Sequence, residues 1–168
     1  MKKTTIVIIG KPNVGKSTLF NRLIGKTKSI VSPIEGITRD RVYGTFEWLN
    51  KFYELIDTGG YIPKNKDSLN DEIKLQAEIA TNASDLILFL VDGKNDISAN
   101  DQILASNIKK ANKPYILVIN KVDNLNQEKN MYRFYDLGMG DPVCISSESG
   151  RQIGILLDNI DNSFSNKN

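Results

Sequence analysis

Apolar residues along this chain fall into two recurring patterns. Thr4 to Ile9 is a β-branched run. Leu86–Val91 and Tyr115–Ile119 are apolar without interruption. Uninterrupted runs of this length predict strands covered on both faces. Other stretches carry helical spacing. Lys16–Ile24 places Leu19, Phe20, Leu23 and Ile24 on one side, and Leu69–Ala83 does the same with Ile73, Ala77 and Ala80. Ser98 is a suitable N-cap for a helix reaching Lys110. Gln127–Leu137 and Gly150–Phe164 predict two more helices, with a short strand at Pro142–Ile145 between them. Val42–Leu49 and Lys51–Ile56 predict two strands joined by a tight turn near Asn50. Ser29–Asp40 holds Pro33 and Gly36 without any period, and Tyr61–Ser68 holds Pro63; both predict loops.

Strands alternating with helices predict an α/β domain with a mostly parallel six-stranded sheet and helices on both faces. The hairpin ending at Ile56 adds one antiparallel edge strand. Ligands of such sheets sit beyond the carboxyl ends of the strands, so functional motifs should follow strands directly. The 168 residues suit one domain, read as residues 1–164, with 165–168 a frayed end or the start of a linker.

Composition narrows the classes. Hydrophobic residues are 40% and charged residues 25%, an ordinary globular mix. The net charge of +2, from 22 Lys+Arg against 20 Asp+Glu, gives no signal for nucleic acid or a membrane surface. Cys144 is the sole cysteine, which excludes an internal disulfide and suits a reducing cytoplasm. The absence of histidine excludes histidine bases and metal ligands. The apolar run after Met1-Lys2-Lys3 is too short for a signal peptide. No segment approaches the roughly 18 apolar residues of a membrane span.

The motifs fall where the sheet rule asks. Gly10, Lys11, Pro12, Asn13, Val14, Gly15, Lys16, Ser17 and Thr18 follow the first strand and open a helix. They fit G-x-x-x-x-G-K-[ST], a loop whose backbone N–H groups cradle phosphates at a helix N-terminus. Lys16 would reach the β- and γ-phosphates and Ser17 would ligate Mg²⁺. Asp57-Thr58-Gly59-Gly60 follows the strand ending at Ile56; Asp57 can hold Mg²⁺ and Gly60 leaves an N–H open to a γ-phosphate. Thr38, in the loop before the second strand, can ligate Mg²⁺ through its hydroxyl and meet the γ-phosphate through its N–H, which makes a switch.

Asn120-Lys121-Val122-Asp123 follows the strand Tyr115–Ile119. The Asp123 carboxylate can accept from both N1–H and N2–H₂ of guanine, a donor pair that adenine lacks. Lys121 can lay its stem along the purine, and Asn120 can tie the loops together. Ser146-Ser147-Glu148 would add a backbone N–H to guanine O6. The set points to a P-loop NTPase of the Ras-like G-domain class, with GTP or GDP and Mg²⁺ as ligands.

These residues resemble the translation-factor-related GTPases. More narrowly, GKPNVGKSTLFNRL (10–23), GITRDRVYG (36–44), LIDTGGY (55–61), LFLVDG (88–93) and NKPYILVINKVD (112–123) resemble the first GTPase domain of the bacterial Der (EngA) family. Era-like and tRNA-modification GTPases are the near alternatives. The resemblance implies a longer protein with a second GTPase domain and a KH-like domain beyond this chain. It implies a part in assembly of the large ribosomal subunit, contacted through the full-length protein, in the cytoplasm. The domain alone is expected to be a monomer.

The resemblance also poses a catalytic question. Ras-like GTPases place a water-orienting glutamine where this chain has Tyr61, so slow intrinsic hydrolysis is expected. Gln76 is the next glutamine, read as lying within a helix and away from the site. In related GTPases the asparagine at the place of Asn13 helps hold K⁺ beside the phosphates, which would neutralise developing charge as an arginine finger does. The alternative is that Asn13 only hydrogen-bonds within the loop. Lys16, Asn13, Thr38 and Gly60 are therefore the candidate catalytic groups. Arg39 and Arg41 are read as solvated loop residues or as charge stabilisers. Pro12 stiffens the loop. A binding-only guanine-nucleotide module and an ATP-using enzyme are the other readings, the second opposed by Asp123.

Overall fold

The structure is a computed structural model, and it describes residues 4–25, 30–33, 40–60 and 68–165. The strands are β1 (Thr4–Ile9), β2 (Ile30–Pro33), β3 (Asp40–Trp48), β4 (Lys51–Asp57), β5 (Leu86–Asp92), β6 (Tyr115–Asn120) and β7 (Val143–Cys144). The helices are α1 (Lys16–Ile24), α2 (Ser68–Ala83), α3 (Ala99–Lys110), α4 (Leu125–Glu128) and α5 (Ile153–Ser165), with 3-10 turns at Thr58–Gly60 and Met131–Leu137.

The strands form one sheet in the order β2-β3-β4-β1-β5-β6-β7. From β4 to β7 all neighbours are parallel; β2–β3 and β3–β4 are antiparallel. Side chains of a strand alternate between faces, so the apolar runs divide into two cores. Val7, Ile9, Phe89, Val91 and Ile119 pack with Ile73 and Ile79 of α2 and with Leu104 and Ile108 of α3. Ile6, Ile8, Leu88, Leu90 and Val118 pack with Leu19, Phe20 and Leu23 of α1 and with Leu156 and Ile160 of α5.

Three expectations change in detail. The sheet has seven strands rather than six, because Ile30–Pro33, inside the stretch read as a loop, pairs with β3 from Ile30↔Tyr43 to Pro33↔Asp40. Pro33 is the last residue of β2, an edge strand, and sheets confine proline to such strands. The segment read as one helix over Gln127–Leu137 divides into α4 and the 3-10 turn. Asn124 caps α4 by accepting from the Gln127 N–H at 2.9 Å, and the Asn130 N–H closes a tighter bond on the Gln127 C=O at 3.0 Å. The last helix starts at Ile153 rather than Gly150, since Gly150 (φ 87°) and Gln152 (φ 61°) are left-handed.

Other local rules hold as read. Leu49 (φ 52°) and Asn50 (φ 64°) make the two-residue turn of the β3–β4 hairpin, with both central residues left-handed as a type I′ turn requires. Ser98 accepts from the Asp101 N–H at 3.2 Å and Asp101 accepts from the Ser98 N–H at 3.0 Å, a complete capping box for α3. No helix among the described residues is long and apolar enough to cross a membrane.

Candidate functional site

Register brings the motifs to one edge. Ile8 pairs with Asp57 on one side and Leu88 on the other, and Asp92 pairs with Asn120. The loop after β1, the turn after β4, the Asp92 turn and the segments after β6 and β7 therefore emerge side by side. Val42 pairs with Asp57, so β3 also begins at this edge. Thr38, Arg39 and Tyr61 lie outside the described residues; Arg41 lies in β3, opposite Ser32.

The phosphate-type loop is shaped by backbone constraints. Gly15 has φ 101°, and a Cβ there would stand 2.2 Å from Asn120 Nδ2. Asn13 has φ 71°, a conformation that asparagine tolerates better than most residues. Asn13 and Pro12 are exposed, whereas Val14 is buried. Lys16 is buried. Its ammonium donates to the Gly10 and Lys11 carbonyls. Burial lowers its pKa, and the carboxylates of Glu72 and Asp57 oppose that shift. Lys11 points the other way, donating to Ser98 Oγ at 3.1 Å and to Asp101 at 3.0 Å, which clamps the loop to the start of α3.

Ser17 and Asp57, from different motifs, meet directly. The Ser17 hydroxyl donates to Asp57 Oδ2 at 3.0 Å, while the Gly59 N–H donates to Asp57 Oδ1 at 2.8 Å. A hydroxyl and a buried carboxylate beside Lys16 are hard oxygen donors that suit Mg²⁺ completed by phosphate and water. Gly59 is needed here, since a Cβ would stand 2.6 Å from Lys16 Cε. Thr58 is turned inward, its hydroxyl donating to the Ile8 carbonyl at 2.7 Å. Thr18 is exposed on the first turn of α1.

Asn120 joins the third and fourth motifs to the first. Its Nδ2 donates to the Val14 carbonyl at 2.9 Å, and its Oδ1 accepts from the Ser147 N–H at 2.9 Å and the Ser147 hydroxyl at 3.0 Å. Lys121, with φ 65°, donates to the Asn13 carbonyl at 2.9 Å and to Asp92 Oδ2 at 2.8 Å. Burial pushes the Asp92 carboxyl up, but donors from Lys121, the Lys94 N–H and Asn95 outweigh it and hold it below the usual range. Asp123 is at the surface, paired with Lys94 at 3.2 Å. Hydrogen bonds from Lys94 and Ser146 keep its carboxyl below the usual range.

Comparison with known proteins agrees with this edge. Residues 5–121 match the family described as 50S ribosome-binding GTPase. The chain belongs to the 50S ribosome-binding GTPases. Among their members it is similar to GTPase Der of Clostridium acetobutylicum, 49% identical over 98% of this chain and 37% of that one. It is also similar to GTPase Der of Clostridium perfringens, 48% identical over 95% of this chain and 36% of that one. The chain thus spans little more than a third of the length of these relatives. Among solved structures it resembles Era in complex with MgGDPNP and 16S ribosomal RNA, with TM-score 0.73 and 34% identity over 97% of this chain and 57% of that one. It also resembles the G domain of the Thermotoga maritima iron transporter FeoB, with TM-score 0.71 and 26% identity over 96% of this chain and 99% of that one.

Residues outside the motifs also hold this edge of the 50S ribosome-binding GTPase together. Arg22 of α1 donates to the carbonyls of Ser147 at 3.0 Å and Glu148 at 2.5 Å, holding the last loop against the first helix. Arg133 donates to the carbonyls of Gly93 at 2.8 Å and Asn95 at 3.0 Å, which fixes the turn carrying Asp92 and Lys94. Gln76 is helical as read, yet it is not away from the site: its Oε1 accepts from the Gly10 N–H at 2.9 Å. A glutamine on the buried face of α2, between Ile73 and Ile79, is the one signal that could have revealed it. A cleft of about 440 Å³ against β7, lined by Tyr132, Tyr135, Cys144 and Gln152 among others, contains none of the motif residues.

Proposed function

We propose that this chain is a guanine-nucleotide switch domain corresponding to the N-terminal GTPase domain of Der. It binds GTP and GDP with Mg²⁺ and hydrolyses GTP to GDP and phosphate. The observation that carries this reading is the Asn120 side chain, which bonds the phosphate loop at Val14 and the last loop at Ser147. That linkage joins the phosphate loop to the two segments that would meet the base, as one ligand with a base and phosphates requires.

Within this reading, the loop N–H groups from Asn13 to Thr18 and the Lys16 ammonium bind the phosphates. Lys16 exchanges its bonds to the loop carbonyls for phosphate oxygens. Ser17 and Asp57, with Thr38, would hold Mg²⁺, which would supply positive charge to the phosphates. The N–H groups of Thr38 and Gly60 meet the γ-phosphate. Asp123 selects guanine, and Lys121 supports it. Ser146 donates its N–H to Arg151 and Ser147 donates its own to Asn120, which leaves the Glu148 N–H to read guanine O6.

Tyr61 stands where a water-orienting carboxamide is expected, so the domain turns over slowly by itself. Asn13 would help hold K⁺ beside the phosphates, where it would supply further positive charge. The full-length protein acts in the cytoplasm on the large ribosomal subunit or its precursor; this domain alone is monomeric.

The test is GTP turnover in matched KCl and NaCl, with and without large-subunit particles. Faster phosphate release in KCl is expected. Equal rates remove the K⁺ role, and nucleotide binding without any phosphate release leaves a binding-only module. Asp123→Asn should shift preference from guanine towards xanthine nucleotides, because the new amide offers a donor where guanine also presents one. Unchanged preference for GTP contradicts the assignment.

A further inference from the structure

Both backbone polar groups of Gly10, the first glycine of the phosphate loop, are held by side chains. Its C=O accepts from the Lys16 ammonium, and its N–H donates to Gln76 Oε1 at 2.9 Å. Gln76 is 1% exposed and lies on the core-facing side of α2. Burying a carboxamide is costly unless it is hydrogen-bonded, and an apolar side chain of similar size would fill the same space without that cost. The polar residue is therefore accounted for by the bond it makes.

Glu72, one turn earlier on α2, faces the same loop. It accepts from Gln76 Nε2 at 3.4 Å, and its negative charge acts on Lys16. The helix that follows the Asp57–Gly60 segment thus touches the phosphate loop twice, at Gly10 directly and at Lys16 through charge. The opposite side of Gly10 is closed by β5, where a Cβ would stand 2.6 Å from the Leu90 carbonyl oxygen and 2.9 Å from Val14 Cγ2. Gly10 is thus closely packed beside β5, and the Gln76 side chain holds its N–H.

We propose that Gln76 is a positioning residue that ties α2 to the entry of the phosphate loop, making the seating of a β-phosphate and the position of α2 one coupled event. Withdrawal of α2 frees the Gly10 N–H, and the entry of the phosphate loop loses the side chain that fixes its orientation. Gln76 touches no reacting atom itself. The inference rests on the guanine-nucleotide reading above.

The experiment compares the 168-residue chain with its Gln76→Leu variant and with the exchange Glu72→Gln/Gln76→Glu. Displacement of a fluorescent guanine nucleotide gives affinities for GDP and GMP. Amide hydrogen exchange over α2 is followed with and without saturating GDP. Wild-type binding of GDP is the check on the underlying reading; its failure would sink that reading and is seen before any variant is compared.

Given binding, GDP should slow exchange in wild-type α2. The leucine variant should lose GDP affinity about tenfold, the effect of leaving one buried donor unpaired. Its GMP affinity should stay unchanged, and GDP should no longer protect its α2. The exchange variant keeps an acceptor for Gly10 and a donor–acceptor pair between positions 72 and 76 at unchanged net charge, and it should retain both GDP affinity and α2 protection. Equal losses for GDP and GMP, full α2 protection in the leucine variant, or no protection in the wild type would each overturn the proposal. Should the leucine variant fail to fold, Gln76→Met carries the same comparison, and loss of coupling in a folded exchange variant overturns it as well.

Discussion

Replacing Asn120 with alanine removes three hydrogen bonds at one stroke, and their burial sets the size of the loss. Asn120 and Ser147 are 3% and 1% exposed, so water cannot readily replace the missing partner. The truncation strands the Ser147 N–H, which donates at 2.9 Å, and the Val14 carbonyl, which accepts at 2.9 Å. A buried polar group left unpaired costs about 1–3 kcal/mol. Two such groups, with the Ser147 hydroxyl free to rotate elsewhere, give a loss of about 3 kcal/mol. For a chain of this size that is a fall of roughly 6–12 °C in Tm. The urea midpoint should drop by about 1.5 M at an m-value near 2 kcal/mol/M.

Urea unfolding followed by circular dichroism on nucleotide-free protein is the appropriate assay, because any ligand of the native state adds its own stability. Asn120→Asp is the informative companion. It keeps an acceptor for Ser147 but sets a carboxylate oxygen against the Val14 carbonyl, so it should lose at least as much. A loss below about 1 kcal/mol for the alanine variant would refute the view that this side chain holds the two loops together.

Two further outcomes follow from the geometry. Gly15→Ala combines a left-handed φ of 101° with a Cβ placed 2.2 Å from Asn120 Nδ2. It should destabilise the nucleotide-free protein by about 2 kcal/mol or more and abolish guanine-nucleotide binding, as calorimetry can establish. The Cys144 thiol is pushed up from 9.0 to about 11, first by burial and then by Glu128. In the unfolded chain it ionises near 9.0, so its contribution to stability is intact below that pH and declines as pH rises towards about 11. Cys144→Ala should show a shallower alkaline decline across that window than the wild type in urea melts. A thiol reagent should likewise label the native protein far more slowly than the unfolded one.

The central strands were legible because burial on both faces forces uninterrupted apolar runs, and the helix starting after Ser98 because its capping box is local. The edge strand Ile30–Pro33 was not, since four residues with a proline carry little signal of their own and their pairing depends on β3. The division after Glu128 was also hidden: the apolar spacing of Met131, Phe134 and Leu137 suits an α-helix as well as a 3-10 turn, and side-chain capping decided between them. At the site, the motif residues are recognisable from type and spacing alone. Arg22, Gln76 and Arg133 are not, because each acts on a backbone group of a distant segment and only the folded chain shows which one. Asn13 illustrates the middle ground. Its left-handed φ explains an asparagine without any cation, so a K⁺ role must be tested against Asn13→Gly, which preserves the backbone, as well as against alanine.

The placement of β1 has a kinetic consequence. The strand that comes first in this sequence lies in the middle of the sheet, with Ile6 beside both Leu55 and Leu86. Its ladder with β4 waits for residues up to Asp57 and its ladder with β5 for residues up to Phe89, and contacts this distant in sequence slow folding. The phosphate loop hangs from the end of that strand and takes its Val14 bond from Asn120, later still. Nucleotide binding is therefore among the last properties the domain acquires during synthesis. A guanine nucleotide can stabilise the finished domain, but it cannot template the early stages of its folding.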